Sequence, residues 1–128
     1  MAETAEYSLL RRTLAELVGT FALVTAGCGA ITVDAQTHGA ISHVGVSITF
    51  GLVILVMIAS TGHISGAHFN PAVTLAFAVT RHIPPREVPF YVGGQLLGAI
   101  AGALVLHALF PLDLTLGATV PSLSLIHI

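Results

Sequence analysis

Polar and apolar positions divide the chain into blocks of sharply different character. Residues 1–12 are polar, and residues 14–33 then run for twenty positions with Glu16 as the only charged side chain. Residues 34–43 are polar and contain glycine, residues 44–61 are uncharged and rich in Val, Ile and Leu, and residues 88–110 are uncharged over twenty-three positions. About 20 apolar residues in a helix cross the ~30 Å hydrocarbon core of a bilayer. The three blocks therefore predict three membrane-spanning helices, over 14–33, 44–61 and 88–110. Gly62 and Gly66 punctuate the end of the second, while Pro84 and Pro85 precede the third and Pro111 follows it.

The segment 62–82 breaks this pattern, because it is largely apolar yet lies where a connecting loop belongs. Its apolar core, 71–80, has ten residues, too few to cross at about 1.5 Å per residue. A re-entrant element over 62–80 is the natural reading. Asn70 is a favoured helix N-cap, and Pro71 is a favoured first helical residue because it lacks the N–H that would be unpaired there. The predicted fold class is thus an all-α membrane protein of three transmembrane helices plus one re-entrant half-helix.

Composition sharpens the membrane reading. Only 8% of the 128 residues are charged, and 55% are hydrophobic, whereas a soluble domain carries about 25% charged residues to solvate its surface. The single cysteine, Cys28, excludes an internal disulfide framework and reads as a small residue at a helix contact. Arg11 and Arg12 precede the first span, and Arg81 and Arg86 lie between the second and third, so two crossings place all four on one side. Positive charge collects in the cytoplasm, which puts residues 1–12 inside and Asp34 and Asp113 outside. Gly94, Gly98 and Gly102 repeat along one face of the third span, and Ala22, Ala26 and Ala30 along the first, a spacing that lets helices approach closely in lipid. Tyr7 and Tyr91 are the only hydroxylated aromatic anchors for the membrane interface.

Irregular backbone cannot face lipid and is tolerated only when enclosed by protein or lining a wet cavity. If residues 62–69 line a cavity, their carbonyls form a ladder of acceptors, and Asn70 stands at the positive end of a half-helix. Such a site favours a polar, uncharged guest and repels cations. Glu16, the one acid inside a span, reads either as a paired buried group or as a carboxylate reaching the nearby interface. His63 and His68 lack Cys or acidic companions for a metal, and His38, His43, His82 and His107 are unclustered. No metal or other cofactor is expected, and no nucleophile, base and orienting group lie together for an enzyme.

The blocks Ala15-Glu16-Leu17-Val18-Gly19-Thr20, Phe50-Gly51-Leu52 and Gly62-His63-Ile64-Ser65-Gly66-Ala67-His68-Phe69-Asn70-Pro71-Ala72-Val73-Thr74, with the region around Gln95, are specific in combination. They make the chain resemble the N-terminal half of the major intrinsic protein family, the aquaporins and aquaglyceroporins. The resemblance implies one aquaporin-like repeat over residues 13–110. It implies that Asn70 is a central donor at the Asn70-Pro71-Ala72 turn. The carbonyls of Gly66, Ala67, His68 and Phe69 are implied to line the cytoplasmic half of a pore, with Phe50 in its narrow filter. Glu16 is then a buried brace for the loop, with Gln95 beside it. A Phe at position 50 resembles water-selective members, while the loop wording resembles a bacterial and plant branch that passes other small solutes. Implied partners are the lipid bilayer and water or small uncharged solutes such as glycerol, with a homotetramer for a full-length protein, the plasma membrane as location and no nucleic acid.

The chain departs from that family by lacking a second repeat, with its second Asn-Pro-Ala, following arginine and fifth-span filter position. Pores built from inverted repeats close only when both copies meet, so one copy is expected not to conduct alone. Residues 111–128 read as an extracellular loop toward a fourth span, ending abruptly as a truncated reading frame would. Two further classes stay open: a non-conducting membrane assembly protein served by the glycine row, and a secondary transporter built on a broken helix.

Overall fold

A computed structural model describes residues 7–111 and 115–118. The first six residues of the expected N-terminal segment, Asp113 and most of the expected outer loop lie outside the described residues. Four α-helices follow in order among the described residues: α1 (Leu9–Gln36), α2 (Ser42–Ser65), α3 (Pro71–Val79) and α4 (Val88–Leu109), with a 3-10 turn at Pro85–Glu87 before α4. Among the described residues there is no strand. α1, α2 and the 3-10 turn with α4 are each long and apolar enough to cross a membrane. The 9-residue α3 is about 14 Å long and spans less than half of the hydrocarbon core.

α1 and α2 are both longer than their apolar blocks. α1 begins at Leu9 because Ser8 caps it, its Oγ accepting from Arg11 N at 3.3 Å. α2 runs to Ser65, so residues 62–65, expected in the irregular loop, are its last turn. A glycine inside a helix costs about 1 kcal/mol relative to alanine but does not end it, and Gly62 continues the helix. The break comes at Gly66, whose φ of 87° is the left-handed cap and whose N–H returns to Gly62 O at 2.9 Å. The irregular backbone is therefore confined to residues 66–70.

α1 lies between α2 and α4, and α3 rests against α4. The α1–α4 seam is set by glycine. A Cβ at Gly94 would stand 2.7 Å from Thr13 O, and one at Gly102 would stand 3.0 Å from Thr25 Oγ1 and 3.1 Å from Phe21 O. A Cβ at Gly98 would overlap Leu17 O. The three glycines thus bring the α4 backbone onto successive turns of α1, as small residues do in lipid where no hydrophobic force joins helices. The alanine row of α1 is not what they meet. On α2, Ser65 is the only buried residue, and Val44, Ile48, Leu52 and Leu55 are all more than half exposed. That face is suited to lipid or to further protein.

Replacing Gly98 by Val should lower the stability of the chain in detergent by about 1–3 kcal/mol, the usual cost of overpacking. Gly93→Ala, five residues away on the same helix with nothing within 4 Å of an added Cβ, should not lower it, because alanine is favoured over glycine inside a helix by about 1 kcal/mol. Thermal unfolding of the two purified variants checks the contrast.

Candidate solute-facing loop

The five residues between α2 and α3 adopt a conformation that most side chains avoid. Ala67 and Phe69 have φ of 53° and 50°, the left-handed region that costs a non-glycine residue about 1–2 kcal/mol. Such strain persists only where the surroundings over-determine it, and here they do. Glu16 of α1 is completely buried, and each of its carboxylate oxygens accepts two hydrogen bonds. Oε1 accepts from Ser65 Oγ at 2.7 Å and His68 N at 2.9 Å. Oε2 accepts from Phe69 N at 2.6 Å and Gln95 Nε2 at 2.8 Å. Successive N–H groups in a left-handed bend form a concavity suited to an anion, and the carboxylate occupies it.

The remaining polar groups lock around this centre. Ser65 Oγ accepts from Ala67 N at 3.1 Å, and Tyr91 OH donates to Ser65 O at 2.8 Å. Gln95 Nε2 also donates to Thr74 Oγ1 at 2.8 Å, and that hydroxyl donates to Asn70 O at 3.2 Å. His68 Nδ1 lies 3.1 Å from the same hydroxyl, with its ring stacked on Phe77 at 4.6 Å between centroids. The Phe69 ring is buried in the space left by Gly19, where a Cβ would overlap it. Arg12, itself buried, pairs with Glu87 at 2.6 Å and stands 5.8 Å from the Tyr91 ring centre.

The N–H groups of Gly66, Ala67, His68 and Phe69 all end on protein acceptors. The carbonyls of the same four residues accept from no described residue. At the start of α3, Asn70 is extended at φ −153° and its Oδ1 accepts from Ala72 N at 2.8 Å. The backbone donor fixes which amide atom is oxygen, so Nδ2 keeps two donors without a partner among the described residues. Asn70 and Gly66 are exposed. The loop therefore turns its donors into the protein and leaves four acceptors and one side-chain amide unspent.

The profile of the family described as Major intrinsic protein matches residues 3–124. The chain belongs to that family. Aquaporin NIP1-1 of Oryza sativa subsp. japonica is 49% identical over 123 residues, covering 91% of this chain and 43% of that protein. Aquaporin NIP2-1 of the same species is 50% identical over 114 residues, covering 88% and 38%, and Probable aquaporin NIP4-2 of Arabidopsis thaliana is 47% identical over 102 residues, covering 80% and 36%. The chain spans about two fifths of the length of these relatives. Major intrinsic proteins are channels rather than enzymes, and family membership with three apolar helices makes this chain a multi-pass membrane protein.

The structure brings Glu16, Gln95 and residues 66–70 of the sequence reading into one cluster, with Pro71 and Ala72 opening α3. It does not bring Phe50 there. Phe50 lies fifteen residues before Ser65 in α2, about 22 Å away along the axis, with its ring in the space left by Gly27. Sequence reasoning missed Ser65, Thr74 and Tyr91 as members of the cluster, and Arg12 and Glu87 as its outer pair. Tyr91 read as an interface anchor and Arg12 as a topology charge. The available signal was spacing: Tyr91 and Gln95 lie four apart and so share a face of α4, and Arg12 and Glu87 sit at neighbouring ends of two adjacent spans.

Tyr91→Phe should remove about 0.5–1.5 kcal/mol of stability through the lost bond to Ser65 O. Tyr91→Leu, which also loses the Arg12 and His68 ring contacts, should cost more. Thermal unfolding in detergent orders the two variants, and equal stability of both with the parent would contradict the bracing described.

Proposed function

We propose that this chain forms the first half of a passive membrane channel for water and small uncharged solutes such as glycerol. The supporting observation is the division of polar groups in the loop: four N–H donors held inside, and four carbonyls and the Asn70 side-chain N–H groups without a partner among the described residues. A solute entering an apolar membrane must replace its hydration, and a row of carbonyl acceptors does so one site at a time. Asn70 then offers donors where α3 begins, and the positive end of that half-helix disfavours cations, protons among them.

In this reading Gly66, Ala67, His68 and Phe69 line the cytoplasmic half of the pore through their carbonyls, while Pro71 and Ala72 fix the turn. Glu16 and Gln95 brace the loop from behind. Phe50, toward the other end of α2, supplies one wall of the narrow filter. Gly94, Gly98 and Gly102 keep α4 close enough to α1 for Gln95 to reach Glu16. The four arginines support a cytoplasmic side for residues 1–12, and we assign the protein to the plasma membrane. A complete channel requires a second half-helix to face α3, and the complete protein is read as a homotetramer.

Stopped-flow light scattering on vesicles tests this reading. With this chain alone, water and glycerol flux should equal that of protein-free vesicles. Flux should appear when the chain is inserted and co-purified with the C-terminal half of rice Aquaporin NIP1-1. Flux from the chain alone contradicts the half-pore, and no flux from the assembled halves contradicts the channel. In the conducting assembly, Asn70→Asp should admit protons or cations; unchanged selectivity would contradict the role of that amide.

A further inference from the structure

The two adjacent arginines of α1 have opposite surroundings. Arg12 is buried and paired with Glu87. Arg11 is exposed, and its guanidinium has no partner among the described residues. Beside Arg11 a groove of about 360 Å³ opens between the start of α1 and the last turns of α2. Its walls are Leu14 and Val18 on α1 and Thr61 and Ile64 on α2, with Tyr7 and Arg11 at the end nearest the N-terminus. Thr61 spends its hydroxyl on Met57 O at 2.7 Å, so its contribution to the wall is apolar. Farther along the same seam Phe50 occupies the space over Gly27.

The groove has a polarity of its own. The Tyr7 ring meets the His63 ring edge-on at 5.9 Å, closing its outer end with two polar-tipped rings at the level where such side chains sit between lipid and water. Arg11 stands in the first turn of α1, where the helix dipole adds positive potential, and among the described residues no acidic side chain lines the groove. An apolar slot with an unpaired cation at its mouth matches a ligand that has an acyl chain and an anionic headgroup. The cytoplasmic leaflet supplies such lipids, and basic pockets between membrane helices on that side take their headgroups.

We infer that this groove binds one anionic phospholipid, its acyl chain between α1 and α2 and its phosphate on Arg11. In the membrane this rests on the proposed cytoplasmic placement of residues 1–12, but the site itself is testable without a bilayer. The 128-residue chain, purified in dodecyl maltoside, is titrated with dioleoylphosphatidylglycerol and with dioleoylphosphatidylcholine, and bound lipid is counted by native mass spectrometry. The parent should bind one phosphatidylglycerol in preference to phosphatidylcholine. Arg11→Gln should reduce that preference about fivefold, and Arg11→Lys should retain most of it. Val18→Trp, which fills the slot at a half-exposed position, should lose both lipids.

Arg86→Gln is the control, because Arg86 is exposed outside the groove and its loss should leave the preference intact. An Arg11→Gln protein with undiminished preference overturns the proposal. So does an equal loss in Arg86→Gln, which would reduce the effect to diffuse charge attraction. A lipid-free dimer cross-linked through Val18 and Ile64 would also overturn it, making a second copy the occupant. Labelling of residue 2 with an impermeant reagent in cells separates the two claims. An external N-terminus would refute the orientation while leaving the detergent result to decide the groove.

Discussion

The Glu16 carboxylate is the interaction on which the rest of the loop depends. Burying a carboxylate is costly unless its acceptor capacity is met, and here four donors meet it, two on each oxygen. Two of the four are the consecutive N–H groups of His68 and Phe69. Holding those two inward requires the left-handed turns at Ala67 and Phe69, a strain that no feature of residues 66–70 alone would sustain. The same turns leave the loop carbonyls unspent. One carboxylate thus decides which way the whole peptide ladder faces, and the proposed chemistry of the loop follows from that direction.

Helix packing delivers the carboxylate to its place. α1 is the shared wall of the bundle, carrying Glu16 and Gly19 toward the loop while Thr13, Leu17 and Phe21 meet the glycines of α4. If α4 stood one side chain farther out, Gln95 would not reach Glu16 and Thr74 together. Gly19 has the corresponding role for the loop, since the Phe69 ring fills the space its Cβ would take. Close approach in lipid is usually described as a source of helix affinity; in this bundle it also sets the reach of a hydrogen-bonded network. The outer end of that network is the Arg12–Glu87 pair, which joins α1 to the turn before α4 and lies against Tyr91.

Much of the fold was legible in sequence because lipid imposes strong rules. Uninterrupted apolar length marks a span, and ten apolar residues opened by Asn70 and Pro71 can only be a short helix. Boundaries were less legible. Polar residues at the interface do not stop a helix, so α1 begins at Leu9 ahead of its apolar block, and α2 passes through Gly62 because only the left-handed turn at Gly66 ends it. Within the site, the motif around Asn70 was readable as a block, and the resemblance implied a brace at Glu16. The parts contributed by Tyr91, Thr74 and Arg12 were not readable, because they depend on which faces of α1 and α4 meet, and no local pattern encodes the partner of a buried hydroxyl or guanidinium. The groove beside Arg11 was hidden for the same reason, since two adjacent arginines are alike in sequence and differ only in what packs around them.

Amide hydrogen exchange at His68 and Phe69 in the membrane-inserted chain tests the central role of Glu16 most directly. In the parent both amides should exchange slowly, as bonded and buried donors do. In Glu16→Gln, whose side chain offers one acceptor oxygen in place of two, at least one of them should exchange tenfold faster or more, the change expected for a loss of about 1.4 kcal/mol. Amides at Leu17 and Phe21, within α1, should be unaffected. Equal protection of His68 and Phe69 in the parent and the variant would contradict the account, because the loop would then hold its shape without the carboxylate.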